Sequence, residues 1–425
     1  MPKKLLFSTE GYDSIFQGPR PNGSCAQWMI QEYGKPTFPH SLGEHNFFNE
    51  EGKMFTPEQL NFNAFPDNFY HKNFEYKYYH ELNGENHLYL IKVGRTNYFN
   101  LNKHIGFRFV SKEIIDDVKA GKCFIILLQD SEGTSGIKDY PDFKTIESWR
   151  IRAGLPPYSV VYVTGNYLGA SICEKNGYQI KVIPHSDFEA WNIQYTQDNI
   201  IPFEPKDDKF LFLSYNRVFR TSRAILVANY IKYNLLGRGK VSKGGEFIWM
   251  PGDPTYGLEQ EYLEALCELG ELTISDNLKY NQASNVNIDD HKETFVSIVS
   301  ETLTEPGTLF LSEKTWKPIQ LGHPFMILGS VGTLQLLQQR GYKTFSKYWD
   351  ESYDTLESTN KRAEVIVKNI DKLSKLSLSE IKTLRKELEP ILIHNLENFK
   401  KELEANFYKD GSLKKLEKIL KKLFK

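Results

Sequence analysis

Cysteine is scarce in this chain. Four occur in 425 residues, Cys25, Cys123, Cys173 and Cys267, far apart and without a CxxC pair or metal-ligand spacing, which fits a reducing cytosol. Phosphate-binding signatures are missing too: there is no GxxxxGK[ST], and no GxGxxG follows a strand pattern, so the P-loop and dinucleotide-binding classes have no support. No DxD-type metal element stands in a suitable loop. Asp289, Asp290 and His291 come nearest and lack the spacing. No apolar run approaches the length of a membrane span, and MPKKLLFS is too short for a signal peptide. Net charge is close to zero, at −1, and gives no global reason to expect nucleic-acid binding.

What is present is globular. Hydrophobic residues make up 40% and charged residues 25% of a chain long enough for two domains with appendages. Aromatic content is high at 14%, with abundant Asn and Tyr. Such groups line sugar-binding clefts, and an A/T-rich genome produces the same bias. Lys4 to Ser8 has the pattern of a first buried strand. From Cys25 to about Phe109 the pattern is irregular, with a hairpin expected around Asn83-Gly84 because Asn-Gly suits type I′ turns. From Ser111 the chain alternates regularly: SKEIIDDVKAG is a capped helix, CFIILLQDSEG a strand with an acidic turn, Lys144 to Ala153 a helix, SVVYVTGN a strand. A repeat of roughly 30 residues is that of βαβ crossovers. Asp130 and Glu132 fall at the carboxyl end of one such strand, on the side where ligands bind in parallel sheets.

After PFEPKDD, a candidate linker, KFLFLSYNRVFRTSRAILVANY runs from strand through a polar turn into a helix. Asn216 and the arginines Arg217, Arg220 and Arg223 stand at that turn, a position favouring a phosphate. TFVSIVS is a strand leading into ETLTEPGTLFLSEKTWKPIQLGHPFMILG, the most informative stretch. There Ser312 is an N-cap, Glu313 and Lys314 open the helix, and a short apolar strand from Phe325 to Leu328 is closed by Gly329. A carboxylate beside a lysine at a helix start suits one ligand bearing hydroxyls and phosphates, as a nucleotide sugar does. The same spacing also fits a surface ion pair. From Thr355 the pattern is helical and charged, ending in GSLKKLEKILKKLFK. That tail is a basic amphipathic helix, which fits either an anionic membrane surface or ordinary packing.

The order SETLT, then FLSEKTWKPIQLGHPFMILGS, resembles the donor-binding segment of the α1,3-fucosyltransferases, with its E-N-S element, an aromatic, T-E-K, and a strand ending in P-V-V-L-G. Glu313 and Lys314 match the T-E-K pair, and Pro324 to Gly329 the strand; Thr302 replaces the family's Asn and Phe310 its usual Tyr. The likeness covers about 30 residues well and about 150 loosely. It implies that Glu313 holds ribose hydroxyls, that Lys314 holds the diphosphate, that an arginine such as Arg217 or Arg223 joins it, and that the reaction inverts.

The expected fold is therefore α/β of GT-B type, two Rossmann-like domains facing across a cleft, with C-terminal helices. Residues 1–205 would form the acceptor side with an insertion at about 25–109, residues 206–354 the nucleotide-sugar domain, and 355–425 a helical extension. The expected activity is that of a phage or bacterial glycosyltransferase (hexosyl, fucosyl or pentosyl), cytoplasmic and independent of metal and cofactor. Its donor is a nucleoside-diphosphate sugar, and its acceptor a glycan, another hydroxyl compound or modified DNA. Glu132 or Asp130 would serve as base and Lys314 would stabilise the leaving group. The donor set comprises Asn216, Arg217, Arg223, Glu301, Thr302, Ser312, Glu313, Lys314, Thr315 and Lys317. The competing readings are a transferase acting on modified DNA bases and a non-catalytic nucleotide- or glycan-binding protein.

Overall fold

A computed structural model of the chain describes residues 5–9, 74–92, 110–128, 143–184, 209–217, 219–244, 247–248, 260–274, 287–304, 306–402 and 411–424. The chain divides into two compact units, one of Met1–Asp187 with Asp410–Lys425, the other of Phe188–Lys409. Both are α/β, with parallel strands and helices.

In the first unit, strands β1 (Leu5–Thr9), β2 (Phe74–Tyr78), β3 (His87–Lys92), β4 (Cys123–Leu128), β5 (Val160–Thr164) and β6 (Lys181–Pro184) form one sheet. Its order is β2-β1-β3-β4-β5-β6, and every pairing is parallel. Helices α1 (Lys112–Lys119), α2 (Phe143–Arg152) and α3 (Gly169–Asn176) alternate with the later strands. A parallel sheet is covered on both faces, so its central strands are continuous apolar runs; all of β5 is buried. Ile114 and Val118 of α1 enter one core with Ile125, Leu127, Ile146 and Tyr162. The Ser111 hydroxyl accepts from the Ile114 N–H at 3.3 Å and so caps α1.

The Asn83-Gly84 turn does not close a hairpin. β1 lies between β2 and β3, parallel to both, so the strands flanking that turn are not paired with each other. Gly84 still supplies the left-handed backbone, at φ +83. The turn residues set only a local reversal, while the partner strand is chosen by long-range burial of β1.

The second unit contains β7 (Phe210–Ser214), β8 (Phe219–Arg220), α4 (Thr221–Lys232), β9 (Gly239–Val241), β10 (Phe247–Ile248), α5 (Gln260–Glu268) and α6 (Ile288–Lys292). It continues with β11 (Thr294–Ser300), α7 (Glu313–Gln320), β12 (Phe325–Leu328), α8 (Thr333–Gln339), α9 (Thr359–Ser374) and α10 (Leu378–Glu402). The main sheet has the order β12-β11-β7-β9, again parallel, while β8 and β10 pair separately. The crossover β7-α4-β9 steps to one side of β7, whereas β11 lies on its other side. The strand order thus reverses between β7 and β11. Gly329 turns the chain tightly after β12, since a Cβ there would meet the Thr333 hydroxyl at 2.7 Å.

The helical segment expected as an extension is divided between the units. α9 packs on α4, β7 and β12. α10 packs on α7, where Trp316 stacks on Phe399 at 5.8 Å and Arg340 lies over the Trp316 ring at 4.6 Å while pairing with Glu402 at 2.5 Å. The last helix, α11 (Gly411–Leu420), belongs to the first unit. Its Leu416 and Leu420 are buried, and Phe424 meets Phe124 edge-on at 5.1 Å. These three residues of the helix's apolar pattern are engaged in packing. Among the described residues no helix is long and apolar enough to cross a membrane.

Candidate functional site

The reversal of strand order in the second unit marks a position. In open α/β sheets, ligands bind outside the carboxyl ends of the strands where the order switches. Here that is the edge formed by the segments after β7 and β11, and most of the donor residues expected from sequence fall there.

β11 ends at Ser300, and the next residue, Glu301, is fully buried. Its Oε1 accepts from the Ser312 N–H at 3.1 Å and the Thr315 hydroxyl at 2.7 Å, and its Oε2 accepts from the Ser312 hydroxyl at 2.5 Å. Three donors on one buried carboxylate pin the start of α7 to the end of β11. Glu301, Ser312 and Thr315 therefore position the helix. The Ser312 hydroxyl also accepts from the Lys314 N–H at 3.3 Å, as an N-cap does.

Glu313 and Lys314 follow on the first turn. Glu313 is 7% exposed; its Oε1 accepts from the Lys314 ammonium at 2.6 Å, and its Oε2 is buried with no hydrogen-bond partner among the described residues. Burial pushes the Glu313 carboxyl up, but the Lys314 ammonium beside it and the nearby Lys317 outweigh that and hold it below the usual carboxylate range. Lys317 lies one turn on, on the Glu313 side of the helix. Burial pushes its amine down to about 8, with Glu313 opposing the fall and Lys314 adding to it. Pro318 stands inside α7 and has no N–H for the Lys314 carbonyl, yet the helix continues to Gln320.

On the neighbouring strand, β7 leads to Asn216, fully buried, then to exposed Arg217, and Arg223 is buried in the first turn of α4. The segment is anchored from below. The Tyr215 hydroxyl donates to Asp290 at 2.6 Å, and Lys240 bridges Asp290 and Glu293 at 2.6 Å each. The acidic pair considered for a metal is thus committed through Asp290 to holding this turn. Thr302 is half-buried just beyond β11.

No protein-family model matches the chain, and no curated protein matches it.

Hydrogen bonds join Glu301, Ser312, Glu313, Lys314 and Thr315 into one cluster; Thr302 follows Glu301 and Lys317 lies on α7, while Asn216 and Arg217 follow the neighbouring strand β7 and Arg223 lies in the first turn of α4. The edge combines several cations with buried acceptors at a helix start, an arrangement that can hold an anion and hydrogen-bond donors together. Asp130 and Glu132 lie outside the described residues. Sequence reasoning passed over Ser300, whose buried hydroxyl has no partner among the described residues, because a serine ending a strand carries no local signal. It also passed over the Tyr215–Asp290–Lys240 anchor, whose members are separated by 25 to 75 positions and meet only through folding.

Proposed function

We propose that the protein is a glycosyltransferase of GT-B type that moves a sugar from a nucleoside-diphosphate donor to an acceptor hydroxyl. The observation that carries this reading is the pairing of buried Glu313 with Lys314 at the start of α7, whose cap is tied to the end of β11 at the switch of strand order; the Arg217–Arg223 turn follows the adjacent strand β7. A surface ion pair would leave both groups in water; here the carboxylate is desolvated and keeps one oxygen unbonded. In the proposed reaction Glu313 accepts from ribose hydroxyls. Lys314, with Arg217 or Arg223, takes the diphosphate and opposes the charge that grows on it as the anomeric bond breaks. Glu132 and Asp130 are the candidates for the base that takes the acceptor proton, and the acceptor is a glycan or a modified DNA base. The resemblance to α1,3-fucosyltransferases supports inversion.

The test begins with a thermal-shift screen of the full-length protein against nucleoside diphosphates. A ligand at 100-fold over Kd adds about 2.7 kcal/mol of stability. Calorimetric titration of Lys314→Ala and Glu313→Gln with the nucleotide so found should show affinity reduced by a factor of about 10 to 150, the loss of one charge-assisted contact. Unchanged affinity in both variants would sink the donor-site assignment.

A further inference from the structure

Two buried polar atoms at the carboxyl ends of β7 and β11, Asn216 Oδ1 and Ser300 Oγ, have no hydrogen-bond partner among the described residues. Buried polar side-chain atoms are nearly always hydrogen-bonded, so each exception calls for an account. Asn216 is held rigidly. Its N–H donates to the Ser242 hydroxyl at 2.8 Å, its carbonyl accepts from the Gly244 N–H at 3.1 Å, and its Nδ2 donates to the Ser214 hydroxyl at 3.0 Å and carbonyl at 3.4 Å. Turning the amide over would set Oδ1 against the Ser214 carbonyl, oxygen against oxygen, so the unbonded atom is an acceptor. Ser300 ends the neighbouring strand. β7 and β11 pair in parallel, Ser297 opposite Leu213, with Ser300 the last residue of β11 and Asn216 two residues beyond the end of β7, so both residues stand at the carboxyl ends of adjacent strands.

We infer that Asn216 and Ser300 are a specificity-determining pair, which accepts a hydroxyl or N–H group of the bound nucleotide sugar at the strand-order switch. This rests on the nucleotide-sugar reading above. The chemistry is complementary to that of α7. A phosphate oxygen is an acceptor and would be repelled by Asn216 Oδ1, so the phosphates go to the cations and the pair meets a donor-bearing part of the ligand, either the nucleoside or the transferred sugar.

Ser300→Ala removes an unbonded hydroxyl, so the variant should melt at the wild-type temperature or above when no ligand is present. It should bind the nucleotide sugar about 2- to 12-fold more weakly, the range for one hydrogen bond. Asn216→Leu removes the acceptor together with the Ser214 contacts, and should weaken binding at least as much while also melting lower. Calorimetric titration uses nucleoside diphosphates of the common bases and the matching nucleoside-diphosphate sugars. Equal losses for both ligand sets put the donor on the nucleoside, and a loss confined to the sugar-bearing set puts it on the transferred sugar. Wild-type affinity of Ser300→Ala for every ligand that the wild type binds overturns this inference and leaves the transferase reading standing. Absence of saturable binding by the wild type itself overturns both.

Discussion

Replacing Lys317 by Met should make the unliganded protein more stable and its ligand-binding worse. The lysine lies on α7 between Glu313 and Gln320, and burial lowers its amine from 10.5 to about 8. In the unfolded chain the amine keeps its ordinary value, so between about pH 8 and 10.5 the unfolded state holds more protons than the folded one. Stability attributable to this group therefore rises with pH through that window, and the cost of the buried ammonium is full below pH 8. A fall from 10.5 to about 8 corresponds to about 3 kcal/mol at 1.36 kcal/mol per pH unit, an upper figure because the residue retains some solvent contact. Methionine has a similar length and no charge, so Lys317→Met should exceed the wild type by about 1–3 kcal/mol at pH 7, and the gap should close as pH approaches 10.5. Comparing the two proteins by urea unfolding at each pH cancels the tyrosine and cysteine titrations common to both. A bound diphosphate would stabilise the ammonium, so the wild type should take up protons on nucleotide binding near pH 8, seen as a buffer-dependent enthalpy, and the variant should not. A variant less stable than the wild type by the same amount at pH 7 and pH 10 would refute the reasoning.

Other changes test other parts of the structure. Glu301→Gln turns an amide N–H₂ toward a cluster of three donors, and should lower stability by about 2–3 kcal/mol in urea unfolding with the α7 cap as its first casualty. Removing residues from Gly411 onward exposes the site filled by Leu416, Leu420 and Phe424, so unfolding should begin at a temperature several degrees lower. The same truncation should leave sedimentation with anionic vesicles unchanged, because these three residues are already packed. Burial lowers the His87 pKa below 6.5 despite the opposing Asp117, and its Nδ1 lies 2.6 Å from the Ser8 hydroxyl. The unfolded chain therefore takes up the proton first, and the His87 contribution is complete above about pH 6.5 and lost as pH falls below it. His87→Gln should flatten the acid side of the stability profile between pH 6.5 and 5.

The sequence by itself determined what depends on neighbours along the chain. β11 and β12 have the limits that their apolar runs indicate, Thr294–Ser300 and Phe325–Leu328. Ser111 and Ser312 cap the helices they precede, and the alternation of strand and helix gives two parallel α/β sheets. Caps, breakers and hydrophobic period act within a few residues and can be read there. The Glu313–Lys314 pair was visible for the same reason, since adjacent residues on one helix turn need no fold to meet.

Tertiary structure alone decided which strands are neighbours and which polar atoms are left over. β1 pairs with β2 and β3 across an intervening stretch of more than 60 residues, overriding the local hairpin signal at Asn83-Gly84. In the final helix, a membrane candidate by its own pattern, Leu416 and Leu420 are buried, and Phe424 just after it meets Phe124, 300 residues away in sequence. Glu301 belongs to the donor motif in sequence and to the α7 cap in space, because Ser312 and Thr315 reach it first. Whether a buried hydroxyl or amide oxygen is satisfied depends on every element packed around it, so Ser300 became a candidate, and the unbonded oxygen of Asn216 became apparent, only once the chain was folded.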